Sequence, residues 1–349
     1  MTVYQSIDEV PKSPGKYLVR LPVTVDVNGM DIVIWTHVFV GAKRGPTLTL
    51  LSGLHGNEWL SLEFFRRFAD AIEPRALAGS VRMIPMANAP AFGQLQRSVP
   101  DDSDNNDANR SFPGKGRRFT WIAEQIATKI AIDVLATSNA LLDFHSGIWG
   151  STMGQSIVGV DYSNKDVAKK SLDMSLAFGN PLIFATHMAS GWPGPRSSQG
   201  YTGEVLGVPC CGSMLGGAGF DRDQEETWLQ MNLQGIHNVM IHLGMTAGTM
   251  RLPERYLLYE TVHRVNPRAG GYMIPEHAVE SFGREVKQGE RLGRLLNPFT
   301  FEMIEELVSP MDGYLAYWAR NYPVRPGDWC YGVIPKDHPG TRWAPRPTW

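Results

Sequence analysis

Cysteine is scarce in this chain: three in 349 residues, an odd number, with Cys210 and Cys211 adjacent. That excludes a disulfide framework and makes a reducing cytoplasm the expected compartment, with Cys210 and Cys211 as small strand residues. Charge is scarce too. Charged residues are 19% and the formal net charge is -2, so no bulk electrostatics favours nucleic acid or an anionic membrane. No apolar run approaches the length of a membrane span, and the stretch Met1-Thr-Val-Tyr-Gln-Ser-Ile-Asp-Glu lacks a basic region followed by an apolar one. There is no internal repeat and no low-complexity segment. Length is what the chain does have. At 349 residues it exceeds a typical domain and can bury a sizeable core, which predicts one large and one small domain.

The texture changes near Gly248. Before it, strand-like runs (Thr47 to Leu51, Val81 to Pro85, Ala140 to Phe144, Ser156 to Val160, Pro181 to Ala185, Val208 to Ser213) alternate with helical ones. The helical runs are Glu58 to Ile72, with Leu62, Phe65 and Ala69 on one face, then Thr120 to Leu135, Asn164 to Phe178 and Asp223 to Leu243. Strands separated by helices predict an α/β fold, a mostly parallel mixed sheet flanked by helices. Lys16 to Val40 reads instead as an antiparallel pair turning at Asn28-Gly29. From about Leu252 onward, short strands are punctuated by Gly and Pro turns. The predicted division is residues 1–248 as the α/β domain with its N-terminal hairpin, 249–335 as a β-domain, and 336–349 as an extended Pro-rich tail.

Three residues carry the chemistry. His55 and Glu58 sit where the apolar run Leu50-Leu51 breaks into Ser52-Gly53-Leu54-His55-Gly56-Asn57-Glu58, and His145 ends the apolar run Leu141-Leu142-Asp143-Phe144. Imidazole nitrogen and carboxylate oxygen suit zinc, and three protein ligands leave a fourth position open. Ligand sites in such sheets lie beyond the carboxyl ends of the strands, where both histidines would fall. A third segment, Asp107-Ala108-Asn109-Arg110-Ser111-Phe112-Pro113-Gly114, offers a planar guanidinium fork for a carboxylate, with Asn109 beside it; the plainer reading is a solvated loop.

Together, His55-Gly-Asn-Glu58, Asn109-Arg110-x-Phe-Pro-Gly and Asp143-x-His145 resemble the succinylglutamate desuccinylase/aspartoacylase family, a branch of the zinc carboxypeptidase-like hydrolases. The resemblance runs over most of the chain in the same motif order. It implies one zinc held by His55, Glu58 and His145, and a small substrate bearing a carboxylate met by Asn109 and Arg110. It also implies a zinc-dependent amidohydrolase or deacylase acting on a small N-acylated amino acid or a related amide. The C-terminal run resembles the barrel-sandwich hybrid fold of lipoyl and biotinyl domains. Its hairpin Pro310-Met311-Asp312-Gly313 has no carrier lysine, so a swinging arm is not expected; the family resemblance implies a β-domain that packs on the catalytic domain.

Amide hydrolysis at such a site needs a carboxylate to take the proton of water and pass it to the leaving nitrogen. In the family that glutamate lies in a segment like Gly-Ile-Pro-x-x-x-x-Glu-x-Gly-Gly. The matching stretch here is Gly207-Val208-Pro209-Cys210-Cys211-Gly212-Ser213-Met214-Leu215-Gly216-Gly217, with Met214 at the glutamate position. Three readings stay open: a relocated base, for which Glu204 is the first candidate ahead of Glu225 and Glu226; zinc hydroxide acting on an activated substrate; or binding without cleavage. The last makes the chain a zinc-containing ligand-binding or regulatory protein. A metallocarboxypeptidase-type exopeptidase is a further alternative. Arg196, in the Gly- and Pro-rich loop Ser190 to Gln199 with Trp192, is a candidate substrate contact, as is His187. A homo-oligomer stays open.

Overall fold

The computed structural model describes residues 2–101, 104–115, 120–147, 151–190, 194–217, 219, 222–277, 282–319 and 322–349. The sequence pattern and the backbone agree on the centre of the fold. Lys43–Ser52 pairs in parallel with Ala78–Ile84 on one side and Ala140–Gly147 on the other, and Ala140–Gly147 pairs in parallel with Cys210–Gly217. Every residue of Cys210–Gly217 is buried, as a strand covered on both faces requires. The N-terminal hairpin adds antiparallel strands Gly15–Val25 and Asp31–Val40. Its turn lies where Asn28-Gly29 predicts, with Gly29 at φ 79° and the Asn28 side chain accepting from the Met30 N–H.

Helices cover both faces. In Leu60–Ala71 the buried face is Leu60, Phe64, Phe65 and Phe68, which places the apolar stripe one side of the predicted one; Leu62 and Ala69 flank it, partly buried. Three of those side chains meet the sheet as one aromatic cluster, with Phe64 and Phe65 each 5.2 Å from the Phe144 ring, centroid to centroid. Lys165–Phe178 begins where Asn164 accepts from the N–H groups of Asp166 and Val167 and ends at Gly179 with φ 91°. Among the described residues, no helix is long and apolar enough to cross a membrane.

The β-region beyond residue 248 continues the large sheet. Arg255–Tyr259 pairs in parallel with Leu182–Thr186, and Gly313–Ala319 pairs antiparallel with Ser151–Gly159. A second sheet of four strands, Met303–Val308, Arg291–Leu296, Gly271–Pro275 and Tyr322–Val324, encloses with the first a core that contains Leu292, Leu295, Leu315, Trp318 and Tyr331. The extended tail predicted for 336–349 needs correction. Arg342–Pro345 is a strand paired antiparallel with Arg255–Tyr259, and Trp349 packs on His242 at 4.7 Å between ring centroids. Trp343 supplies the anchor, with the Arg255 guanidinium 4.2 Å over its ring, and proline is tolerated because this is an edge strand.

Candidate metal centre and substrate cleft

His55 and Glu58 lie on the loop that leaves Lys43–Ser52, and two glycines set its path. Gly53 has φ 69°, and a Cβ there would meet the Met86 backbone at 2.6 Å; a Cβ at Gly56 would meet the Ala91 carbonyl carbon at 2.1 Å. The loop can therefore lie flat on residues 86–92, held by Asn88 N–H to the Gly53 carbonyl (2.8 Å) and Ala87 N–H to the Ser52 carbonyl (3.0 Å). His145 stands near the carboxyl end of the neighbouring strand Ala140–Gly147. The structure brings the three predicted ligands together, with one ligand atom from each lying within 4.8 Å of the others.

The geometry fits a divalent cation. Glu58 Oε1 is 2.9 Å from His55 Nδ1, and Oε2 is 2.7 Å from His145 Nδ1, so both imidazoles aim the same nitrogen at one carboxylate. The opposite nitrogens face carboxylates: His55 Nε2 is 3.2 Å from Asp107 Oδ1, and His145 Nε2 is 3.1 Å from Asp143 Oδ2. A proton on Nε2 bonded to a carboxylate leaves the Nδ1 lone pair for a metal, the usual outer support of a metal-bound histidine. His55 and Glu58 are 3% and 4% exposed. Burial works against charge on Glu58, yet the facing imidazoles outweigh it and hold the carboxyl well below the usual range. Burial likewise works against the His145 cation, but Asp143 and Glu58 raise it to about 10. Carboxylates crowd this pocket, and a divalent cation held by Glu58 and the two Nδ1 atoms would offset their charge.

The supports reach further. The Asp143 Oδ2 accepts from Ser198 Oγ at 2.6 Å, and Asn109 Oδ1 accepts from the Ser198 N–H at 2.9 Å and its Oγ at 3.1 Å. The Asn109 amide nitrogen also lies 3.1 Å from His145 Nε2. Arg110 lines the cleft, donates to the Asn109 carbonyl at 2.8 Å, and pairs with no carboxylate among the described residues. Arg97 had no sequence signal, because no spacing links it to either ligand motif. It sits 3.0 Å from Asp107 Oδ2 and 3.5 Å from Glu58 Oε1, at the lip of the cluster. Asp143 was legible: it is two residues from His145 on the same face of one strand.

These groups floor a cleft of about 1030 Å³, whose opposite wall comes from the β-region through Arg264, Tyr317, Tyr322 and Trp329. Met214 lines it as well, in register beside His145 on the adjacent strand.

Residues 44–243 match the family described as the succinylglutamate desuccinylase/aspartoacylase catalytic domain, more than half of the chain. The chain belongs to that family. It is 26% identical to an N-alpha-acetyl-L-2,4-diaminobutyric acid deacetylase of Halomonas elongata over 318 residues, 87% of this chain and 86% of that one. Among solved structures it resembles a succinylglutamate desuccinylase/aspartoacylase of Rhodobacter sphaeroides (TM-score 0.75, 23% identity, 94% of this chain and 98% of that one). It also resembles the product-bound ectoine utilization protein EutE (DoeB) of Ruegeria pomeroyi (TM-score 0.76, 22% identity, 93% and 97%). At these identities the two structures speak for the fold.

Three predicted contacts lie elsewhere. Glu204 is exposed on the turn Tyr201–Val205, where its carboxylate accepts from the Ser163 N–H at 2.8 Å and from the Ser163 hydroxyl. Those bonds hold its pKa below the ordinary value and keep the side chain out of the cleft, so it is withdrawn as the base. Arg196 is half exposed and points to Glu124 at 3.7 Å, drawn by the nearest carboxylate. His187 is likewise half exposed, between Asp161 and Glu260 at 3.6 and 3.5 Å. Glu226 pairs with Arg67 at 2.6 Å, as a helix-start carboxylate does on a solvated face. Trp192 lies outside the described residues.

Proposed function

We propose that this chain is a zinc-dependent deacylase that hydrolyses the amide bond of a small N-acylated amino acid or a closely related carboxylate-bearing amide. The observation that carries the reading is the convergence of His55, Glu58 and His145 in a cleft that also holds the Arg110 guanidinium, which pairs with no carboxylate among the described residues. The family membership and the deacetylase relative support the same reaction class. His55, Glu58 and His145 would hold the zinc, which when bound would supply a Lewis acid for the amide carbonyl and a lowered pKa for water. The remaining work falls to the chain. Arg110 holds the substrate carboxylate through its fork, which orients the amide across the ligand cluster. Asp143 fixes the ring of His145, and Asp107 that of His55. Arg97, at the lip, faces the negative charge that develops on the carbonyl oxygen.

Proton transfer is the weak step. The carboxylates lining the cleft among the described residues are Glu58, Asp107 and Asp328. Glu58 faces the two imidazoles, Asp107 meets His55 and Arg97, and Asp328 accepts from the Arg325 N–H at 2.8 Å. We infer that solvent takes the water proton and supplies one to the leaving nitrogen as the C–N bond breaks, and that turnover is low or restricted to activated amides. Met214 therefore favours a second reading, binding of an N-acyl ligand without cleavage. Met214→Glu separates the two. A positioned carboxylate contributes about 10²–10⁴-fold, so under the deacylase reading the variant gains at least tenfold in kcat on N-acetyl amino acids with zinc retained. Zinc-loaded Met214→Glu protein that stays inert on every amide supports the binding reading.

A further inference from the structure

The reading above leaves the β-region wall of the cleft without a role, yet that wall is built in detail. The guanidinium carbon of Arg264, on the strand His263–Val265, sits 3.7 Å from the centroid of the Trp329 ring. Tyr317 lies next to them: its ring is 6.1 Å from that of Trp329 at 34°, and it too lines the cleft. The Tyr317 hydroxyl is buried and lies against the Arg264 guanidinium. Its ring is seated on Gly332, where a Cβ would come within 2.2 Å of it. The nearby carboxylate, Asp328, is turned to the Arg325 N–H.

A guanidinium whose face lies on an indole has its π surface satisfied and its edge free. The edge carries the N–H donors, in the fork that matches a carboxylate or phosphate. A cationic fork that meets no carboxylate among the described residues, with a buried hydroxyl beside it, is a ready receptor for an anionic group. Size argues the same way. At about 1030 Å³ the cleft is at the upper end of the roughly 300–1,000 Å³ usual for small-molecule sites.

We propose that Arg264, held on Trp329 and beside Tyr317, is a specificity-determining residue for substrates that carry a second anionic group away from the scissile amide. This rests on the cleft being the substrate site proposed above, with Arg110 taking the first carboxylate.

The test is equilibrium binding to zinc-loaded full-length protein by calorimetry, which does not depend on turnover. N-succinylglycine and N-butanoylglycine differ by one terminal carboxylate on the acyl side; N-acetylglutamate and N-acetylglutamine differ by one on the amino-acid side. The native chain is expected to prefer the charged member of at least one pair by tenfold or more. Arg264→Gln should bring that ratio close to one with zinc content preserved, and Arg264→Lys should recover only part of it, since lysine keeps the charge and loses the fork. Tyr317→Phe keeps the ring on Gly332 and should lower the same ratio about threefold, the order expected for one hydrogen bond. A native ratio near one in both pairs overturns the proposal, as does an Arg264→Gln protein that loses affinity equally for both members. A preference that survives in a protein inert on every amide sinks the deacylase reading alone. Turnover with no preference in either pair sinks the role of Arg264 alone.

Discussion

His55 and His145 each present Nδ1 to Glu58 and Nε2 to an aspartate, and that choice of nitrogen governs how the centre responds to pH. Without metal, His145 titrates at about 10, so it is a cation at neutral pH. A metal must displace that proton. Zinc affinity is therefore expected to rise about tenfold per pH unit between pH 6 and 9 for each proton released; competition titrations at three pH values check it, and a flat profile contradicts it. The sign for the metal-free fold is opposite. His145 is raised above 6.5, so its contribution to stability is complete below that pH and is lost as pH rises through about 10. Arg110 gives a second residue-scale prediction. A hydrogen-bonded charged contact is worth about 1.5–3 kcal/mol, so Arg110→Lys should raise KM for a carboxylate-bearing amide roughly 10- to 150-fold while zinc stays bound. An unchanged KM removes Arg110 from substrate binding. The ligand set was legible in sequence because His55 and Glu58 follow one apolar strand run and His145 follows another. Arg97, Ser198 and Arg264 were not, because residues brought in from separate loops and from the β-region leave no local pattern.

Elements position those residues, and the tightest constraint is the loop between Ser52 and Glu58. Gly56 lies so close to the Ala91–Phe92 backbone that a methyl group has nowhere to go. Overpacking of this kind typically costs about 1–3 kcal/mol. Gly56→Ala is expected to lower stability by that order in urea titration and to weaken zinc binding, because the backbone shift moves His55; a variant matching the native chain in both would show that the loop is not pinned. Strand and helix existence followed from periodicity through the α/β half. The stripe on Leu60–Ala71 was misplaced because packing against Phe144 and Phe39 decides which face is buried, and no single helix encodes its partners. The Glu204 expectation failed for a related reason: Ser163, from a different connection, captures the carboxylate. The C-terminal strand Arg342–Pro345 hides behind prolines that suggest an open tail, and only pairing with Arg255–Tyr259 explains it.

At the scale of the whole molecule, one continuous sheet carries the ligand strands and extends into the β-region, so both walls of the cleft belong to a single framework. The ligand cluster lies at the carboxyl ends of Lys43–Ser52 and Ala140–Gly147, where an open α/β sheet places its site. Met214, beside His145, offers no proton acceptor yet lies outside the ligand set, so metal binding and turnover separate. The direct measurement is zinc content together with release of free amine from a panel of N-acyl amino acids, made side by side on the native chain and on His145→Ala. One zinc per native chain with measurable amine release, and loss of both in His145→Ala, is the predicted result. A native chain that holds no stoichiometric metal, or a His145→Ala protein that keeps its metal and releases amine at the native rate, contradicts the account.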